Sequence, residues 1–502
     1  MEHNRKVTRH LATSAAVVGM AATTFVPVVT SQTASAQSPE VTITAQLPYA
    51  QGKITAPTNS VLLSLTEQYE KDHPGVKVDW VLDAQSNLDQ QDAILLTQAS
   101  GGDADDIVWQ QYGPSSLPPG ILQNIKPYLE KPNPYVPGNK SWLSLYSPSV
   151  VPYMTSPNGQ IQILLGSSIE TGFMYNKADF KKAGITSIPA TWAQFIVDLA
   201  KLQAAGFKYP LLFGWGLNDN PSWWERLAGS ELLHNELSKF DVDHQVVTTG
   251  LDTAVGVERG ALSMDNPAYA EIWKLLGQLR AFMDPAGSEY DIGASLNSAS
   301  PPFSTLTPFA QGKVPVIWGG SWKEPVLNSL GFAGKYGIFP EPTITTTTSK
   351  YSANLSTRGV IGGPNGFPEW SVTTEKADHT MTPAKTKVVM NFLAWLYTPG
   401  HLGAIVKNEG DGALIPVEPA APTGGSVGMK DLLPTGKVIT VVDGPLEGTL
   451  GTSFETEAMR LVSAYLSEDM SYSSFSSQWQ SMLVTAAHQW AAANHVNLAK
   501  YK

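Results

Sequence analysis

The chain of 502 residues contains no cysteine. Thiol nucleophiles, thiolate metal sites, disulfides and a lipid-modified N-terminal cysteine therefore drop out of consideration. A chain this long needs no disulfides, because burial alone stabilises a core of that size. Charge is also scarce. Asp, Glu, Lys and Arg make up 15% of the residues, against ~25% in ordinary soluble domains, and Ser, Thr, Asn and Gln take their place. Two explanations stay open: an acidic habitat, where a charge-based surface would lose its pairs as carboxylates protonate, or the ordinary bias of secreted proteins. Positive charge is the scarcer sign, with 33 Lys and Arg against 44 Asp and Glu and a net charge of −11. That balance argues against nucleic acid as a partner, since phosphate recognition wants a basic patch. No run beyond the N-terminus is apolar enough to span a bilayer. No H-E-x-x-H and no G-x-x-x-x-G-K-[ST] occurs, and the nine His are scattered. Neither a cofactor nor a metal is expected.

What is present begins with a targeting signal. Arg5, Lys6 and Arg9 precede a mostly apolar stretch from Leu11 to Val29, and Ala34-Ser35-Ala36 supplies small residues before Gln37. This reads as a signal peptide over 1–36 and an exported protein starting near Gln37. Its removal takes away His3 and His10 and makes the net charge more negative.

The remaining length is too great for one core, so two or more domains are expected. "VTITA" (41–45) alternates as a strand, 61–69 has helical spacing, "VKVDWVL" (76–82) is a second strand and 88–99 a second helix. "SGGDADDIVW" (100–109) then turns into a third strand. This rhythm predicts an α/β unit with a mainly parallel sheet. Ligands of such sheets sit beyond the carboxyl ends of the strands, which points Gln110, Gln111 and Tyr112 toward a cleft. A Pro-rich stretch (114–138), a strand at 161–166, a Trp- and Leu-rich helical region to about 290 and a loop at 295–308 follow. "VPVIWGGSW" (314–322) reads as strand then turn, 343–352 as a polar insertion, and "GVIGGPNGF" (359–367) as a strand entering a Gly-rich loop. Long helices at 383–398, 453–467 and 475–493 end the chain. Within "YNKADFKKAGITSIPATWAQF" (175–195), Asn176 and Thr191 are predicted N-caps, with Gln194 completing a capping box. Gly184 and Gly206 are predicted helix stops.

Taken in order, "YEKDHPGVKVDWV", "ASGGDADDIVW", "GFMYNKADFKKAGI–PATWAQF", "PFAQGKVPVIWGGSW", "GVIGGPNGF" and "VVMNFLAWLYTP" resemble the extracellular solute-binding proteins of bacterial ABC importers, in the sugar- and oligosaccharide-binding branch. The resemblance spans roughly 60–400. It implies an α/β, two-lobe periplasmic-binding-protein fold of the type II "flytrap" kind, each lobe a mainly parallel sheet flanked by helices. Three hinge crossovers would lie near 160–166, 308–316 and 357–363. Lobe one would comprise 37–163 and 316–357, and lobe two 164–315 and 358–502, with the C-terminal helices within reach of lobe one. It further implies a monomer that closes on a sugar and docks on the transmembrane subunits of a permease. The departure is the export signal: many relatives carry a lipid-modified Cys there, whereas this chain implies a form free in a periplasm, at the cell surface or outside.

Sugars present apolar C–H faces and hydroxyl edges, so their sites need aromatic platforms and paired hydrogen-bonding side chains. Of 14 Trp, Trp192, Trp273, Trp395, Trp479 and Trp490 lie on helical apolar stripes and are expected in cores. Trp322 follows Gly319-Gly320-Ser321 at a strand end, where the resemblance implies a stacking aromatic. "GWGLNDNPSWWERLAG" (214–229) offers Trp215, Trp223, Trp224, Asp219 and Asn220, with one Trp in the site and two packing the lobe as the bland alternative. Glu170 stands one residue from where relatives hold a hydroxyl-binding carboxylate. Gly363 and Asn365 could offer backbone N–H groups, or Gly363 could serve a tight turn. Phe454 and Asp411 are weaker candidates. "DVDHQVVTTGLD" (241–252) has part of a calcium-loop pattern but Val246 in place of its glycine, and reads as a polar loop. A secreted glycan-active enzyme and a surface carbohydrate-binding protein are the alternatives to a transport receptor.

Overall fold

The computed structural model describes residues 41–47, 57–82, 91–110, 117–156, 158–213, 220–284, 306–356, 362–408, 415–422 and 439–502. The targeting segment lies outside them. Nine strands are present among the described residues: β1 (Val41–Leu47), β2 (Val76–Leu82), β3 (Ile107–Trp109), β4 (Leu164–Asn176), β5 (Leu211–Leu212), β6 (Val316–Gly320), β7 (Tyr336–Phe339), β8 (Gly362–Val372) and β9 (Ile415–Pro416). They run in the order β2-β1-β3-β8-β4-β6-β5, with β7 and β9 both pairing with β4.

β4 belongs to two sheets. From Leu164 to Glu170 it pairs with β8 and β9, and from Thr171 to Asn176 with β6 and β7. Two register shifts, between Leu165 and Ser167 and between Ser167 and Ile169, bend the strand where it leaves one sheet for the other.

The inner strands β3, β5 and β6 are buried on both faces and read as apolar runs, whereas β1 and β2 alternate, with Thr42, Lys77 and Asp79 exposed. In the first sheet, Ile107 and Trp109 join one core with Ile43, Leu164, Trp370, Phe392 and Leu393. Val108 points the other way, against Leu95, Ala99 and Leu122. In the second, Val316 and Trp318 pack with Phe173, Phe195, Trp224, Trp273 and Trp479, while Ile317 packs with Met174, Leu212 and Phe309 on the reverse face. Of the five Trp expected in cores, Trp192, Trp273 and Trp479 are fully buried. Trp395 and Trp490 pack at the core edges.

Local expectations hold well. Asn176 accepts from Ala178 N and Asp179 N to cap its helix, and Gly184 and Gly206 end the next two turns with φ of 69° and 102°. Thr191 accepts from Gln194 N. The Gln194 side chain does not return the bond; it donates to Asp198 Oδ1 at 3.2 Å.

Two expectations are corrected. Among the nine strands, parallel pairing occurs in β1–β2, β1–β3 and β5–β6, and every pairing made by β4 or β8 is antiparallel. The allocation of segments also differs. Val316, Phe339 and Ile344 pack in the second core, not the first. Val389, Phe392, Leu402, Val406 and Val417 pack in the first, not the second. The chain does not cross at 308–316, since Phe309, Val314 and Ile317 share one cluster; it returns instead between Val417 and Val441. An apolar strand fits either sheet, and only its partner assigns it.

No helix among the described residues is long and apolar enough to cross a membrane. The interior holds an unusual set of acids. Glu225, Glu231, Glu341, Glu369 and Glu418 are all 5% exposed or less. No Lys, Arg or His ion pair to any of them occurs among the described residues. Burial pushes Glu225 and Glu418 up to about 8 and Glu231 to about 7, and raises Glu341 and Glu369. Unfolded Glu titrates near ~4.3, so the folded state holds these protons more tightly. Their contribution to stability is complete below the unfolded value and is lost as pH rises from about 4 to about 8. Calorimetric melting between pH 4.5 and 8 is therefore expected to give the higher melting temperature on the acidic side; a maximum at or above pH 8 would contradict it.

Candidate functional site

The end of β6 forms one wall. Gly319 and Gly320 lie opposite Gly172 and Thr171 of β4, and the chain then turns through the single-turn helix Ser321–Lys323, which carries Trp322. Beneath that turn sits Trp318, fully buried and stacked on Phe173 at 5.1 Å. Its Nε1 donates to Glu341 Oε1 at 3.0 Å, which also accepts from Thr171 Oγ1 at 2.6 Å. Lys323 Nζ donates to the Trp318 carbonyl at 3.2 Å. These bonds tie the turn that bears Trp322 to strands β4 and β6. Desolvation raises the Glu341 pKa, while the bonds from Thr171 and Trp318 pull it down. Composition gave no signal for Glu341, Thr171 or Lys323.

The helix Asn220–Leu232 contributes the second element. Its two adjacent Trp part company. Trp224 is fully buried, donates Nε1 to Ile272 O at 2.9 Å and packs on Trp192 at 4.6 Å. It is a core residue, which corrects its candidacy. Trp223 is half-buried and meets Trp318 edge-on at 6.0 Å, next to the β6 wall. One turn on, Arg226 makes a two-pronged ion pair with Asp443, through Nε to Oδ1 and through Nη2 to Oδ2 at 3.0 Å. Nothing in the sequence spacing linked residues 217 apart.

The first sheet carries the remaining candidates. Gln110 lies just past β3, its N–H bonded to Glu369 O at 3.2 Å, and its side chain is buried. At the crossing, Glu170 and Ile169 lie opposite Gly362 and Gly363. Gly363 adopts a φ of 67°, which a side chain resists, so the turn accounts for that glycine. Phe454 is buried in the second core against Trp479 at 6.0 Å, a packing position. The side chains of Trp322, Glu170, Asn220 and Asn365 lie outside the described residues, as do Gln111, Tyr112, Trp215, Asp219 and Asp411 altogether. So does Gly424-Gly425-Ser426-Val427-Gly428, whose spacing is that of a serine nucleophile elbow.

Carboxylate oxygens of Asp241, Asp243 and Asp252 come within 4.8 Å of one another. Asp252 accepts from Val242 N at 2.7 Å and Thr249 N at 2.9 Å, and Asp243 from Thr249 Oγ1 at 2.7 Å. These bonds build the N-terminal cap of the helix Gly250–Glu258, in keeping with a polar loop.

Two sheets share the long strand β4, each with its own core, the layout of a two-lobe α/β protein. The family described as "Bacterial extracellular solute-binding protein" matches residues 55–401, and the chain belongs to that family. Its fold is similar to that of a family 1 extracellular solute-binding protein from Bifidobacterium longum subsp. infantis, at 16% identity and a TM-score of 0.61 over 89% of this chain and 100% of that one. RafE from Streptococcus pneumoniae matches at 16% identity and 0.60 over 90% and 99%. The cyclic alpha-maltosyl-1,6-maltose binding protein from Arthrobacter globiformis matches at 15% and 0.58 over 89% and 99%. At these identities the likeness is one of fold. No curated protein sequence matches the chain.

The two neighbouring Trp give a direct test of this geometry. Trp224→Ala is expected to cost about 3–5 kcal/mol in urea unfolding. Trp223→Ala should cost about 1–2 kcal/mol, as half-buried surface does. Equal losses would make Trp223 a core residue and remove it from the wall.

Proposed function

We propose that this protein is the exported substrate-binding component of an ABC importer, which captures a sugar or oligosaccharide between its two lobes and hands it to a membrane permease. One observation carries the reading: structures that share its fold over almost their whole length include a chitin oligosaccharide binding protein and RafE in complex with raffinose. Membership of an extracellular family supports export, with cleavage after Ala36 and release as a free monomer. In this reading Trp322 stacks on the sugar, and Trp223, Trp215, Asp219 and Asn220 are further ligand contacts. Glu170, Gln110, Gln111, Tyr112, Asn365 and Asp411 are the candidate hydroxyl partners.

The energetics suit such a site. A micromolar dissociation constant corresponds to ~8 kcal/mol. One or two stacked Trp and a few satisfied hydroxyls can supply that after the cost of closure.

A ligand that binds only the native state raises the melting temperature. Screened against mono-, di- and trisaccharides, amino acids and divalent metals, the protein is expected to shift with one short-sugar family and to release no product on chromatography. Trp322→Ala should abolish the shift while leaving the unliganded melting temperature close to the parent's. A shift confined to metals or amino acids, or sugar cleavage, would overturn the reading.

A further inference from the structure

The lysines of this acidic chain are unevenly placed. The stretches 177–210 and 306–342 hold eight Lys, no Arg and four acids, in a chain whose net charge is −11. Seven of these Lys are exposed, and Lys323 is the buried one. Of the acids, Asp198, Glu324 and Glu341 are buried and Asp179 is half-buried.

Five of the exposed lysines converge on one end of the second sheet. β4 runs antiparallel to β6 and β7, so its last residue, Asn176, stands at the end where those two strands begin. Lys177 follows β4, Lys335 precedes β7 and Lys313 precedes β6. The Lys177 N–H donates to Lys335 O at 3.1 Å, and Lys177 Nζ to Gly334 O at 3.2 Å. Lys335 Nζ donates to Gly331 O at 2.9 Å, and the Asn176 N–H to Pro315 O at 2.9 Å. Lys181 stands four residues from Lys177 on the helix Lys177–Lys182, on the same side of it. Lys182 Nζ lies 4.5 Å over the Phe207 ring. None of the five forms an ion pair among the described residues. The carboxylate nearest to them in the chain, Asp179, has its pKa raised by burial and pulled down by Lys182.

Like charges gathered this closely repel, although the chain has 44 Asp and Glu that could offset them. Aliphatic side chains left uncovered accompany the lysines. Leu330, 46% exposed, adjoins Gly331, and Ile188, 47% exposed, lies in the loop after the lysine helix. Ammonium groups with exposed aliphatic side chains suit a bilayer surface, where phosphate headgroups meet the charges and the headgroup boundary takes the apolar tips. An acidic polymer offers the aliphatic side chains nothing to enter. We propose that this lysine face adsorbs the protein reversibly on an anionic phospholipid surface.

The geometry leaves the candidate site clear. Trp322 follows the opposite end of β6, a strand of five residues, which at about 3.4 Å per residue places it about 17 Å along the sheet. At about 0.1 M salt charges are screened beyond about 10 Å, so the bilayer meets the lysines and not the acidic remainder of the chain. Adsorption keeps the free monomer proposed above near its permease. That purpose rests on the transport reading; the adsorption itself does not.

Vesicle sedimentation of the processed protein, from Gln37 onward, tests the proposal. At about 0.1 M salt the parent is expected to bind vesicles containing phosphatidylglycerol but not phosphatidylcholine alone, and to be released at about 1 M salt, where the screening length falls to about 3 Å. The triple variant Lys181→Ala, Lys182→Ala, Lys335→Ala loses about fivefold in affinity per charge and is expected to bind about a hundredfold more weakly. Lys71→Ala, Lys131→Ala, Lys140→Ala removes equal charge from exposed positions around the first core and should stay within about threefold of the parent. Equal losses in the two triples, or no binding by the parent, overturn the proposal. Retention on heparin without vesicle binding overturns it too, in favour of an acidic polymer. The lysine-face triple should keep the parent's melting temperature and its sugar-induced shift. Vesicle binding by a parent that shifts with no sugar supports the proposal and counts against the sugar-capture reading alone.

Discussion

The hydrogen bonding of β4 is the constraint on which the rest depends. A strand of 13 residues is long enough to serve two sheets, and here each half is bonded on its own terms. The first half is held by β8 and β9, the second by β6 and β7. A backbone this fully paired cannot slide, because a shift of one residue would turn Phe173 and Met174 to the wrong cores. The bulges around Ser167 concentrate the bend at one point, so the two cores can each be rigid while the strand between them turns.

Around that seam the walls follow from burial. Strand ends are one place where polar side chains gather beside a buried sheet. Trp318, Glu341, Thr171 and Lys323 gather at one such end, and Gln110 with Glu369 at another. Among the described residues, neither Glu341 nor Glu369 forms an ion pair with Lys, Arg or His. Burial raises the pKa of both carboxyls.

How much was legible can be read residue by residue. Asn176, Thr191, Gly184 and Gly206 act where their chemistry demands, since capping and left-handed turns are settled within a few residues. Trp192, Trp273 and Trp479 lay on 3.6-residue stripes and are buried. Trp223 and Trp224 show the limit: adjacent in sequence and alike in context, they differ because a helix sends neighbours about 100° apart, and the position of Trp192 and Ile272 decides which one is core.

The sequence by itself determined the composition of the interior, the helix boundaries, the α/β character and, through motifs in series, the family. These depend on short-range periodicity and on residue types that no partner can change. Only the tertiary structure decided which core each segment joins, where the chain crosses, and which polar side chains meet. "VPVIW" and "VVMNFLAWLY" are apolar enough for either lobe, and pairing with β4 in one case and packing against β1 and β3 in the other assigned them. Long-range hydrogen bonds such as Arg226 to Asp443 and Thr171 to Glu341 join residues that share no local signal. Their pairing is a property of the folded chain, set once the sheets have closed on each other.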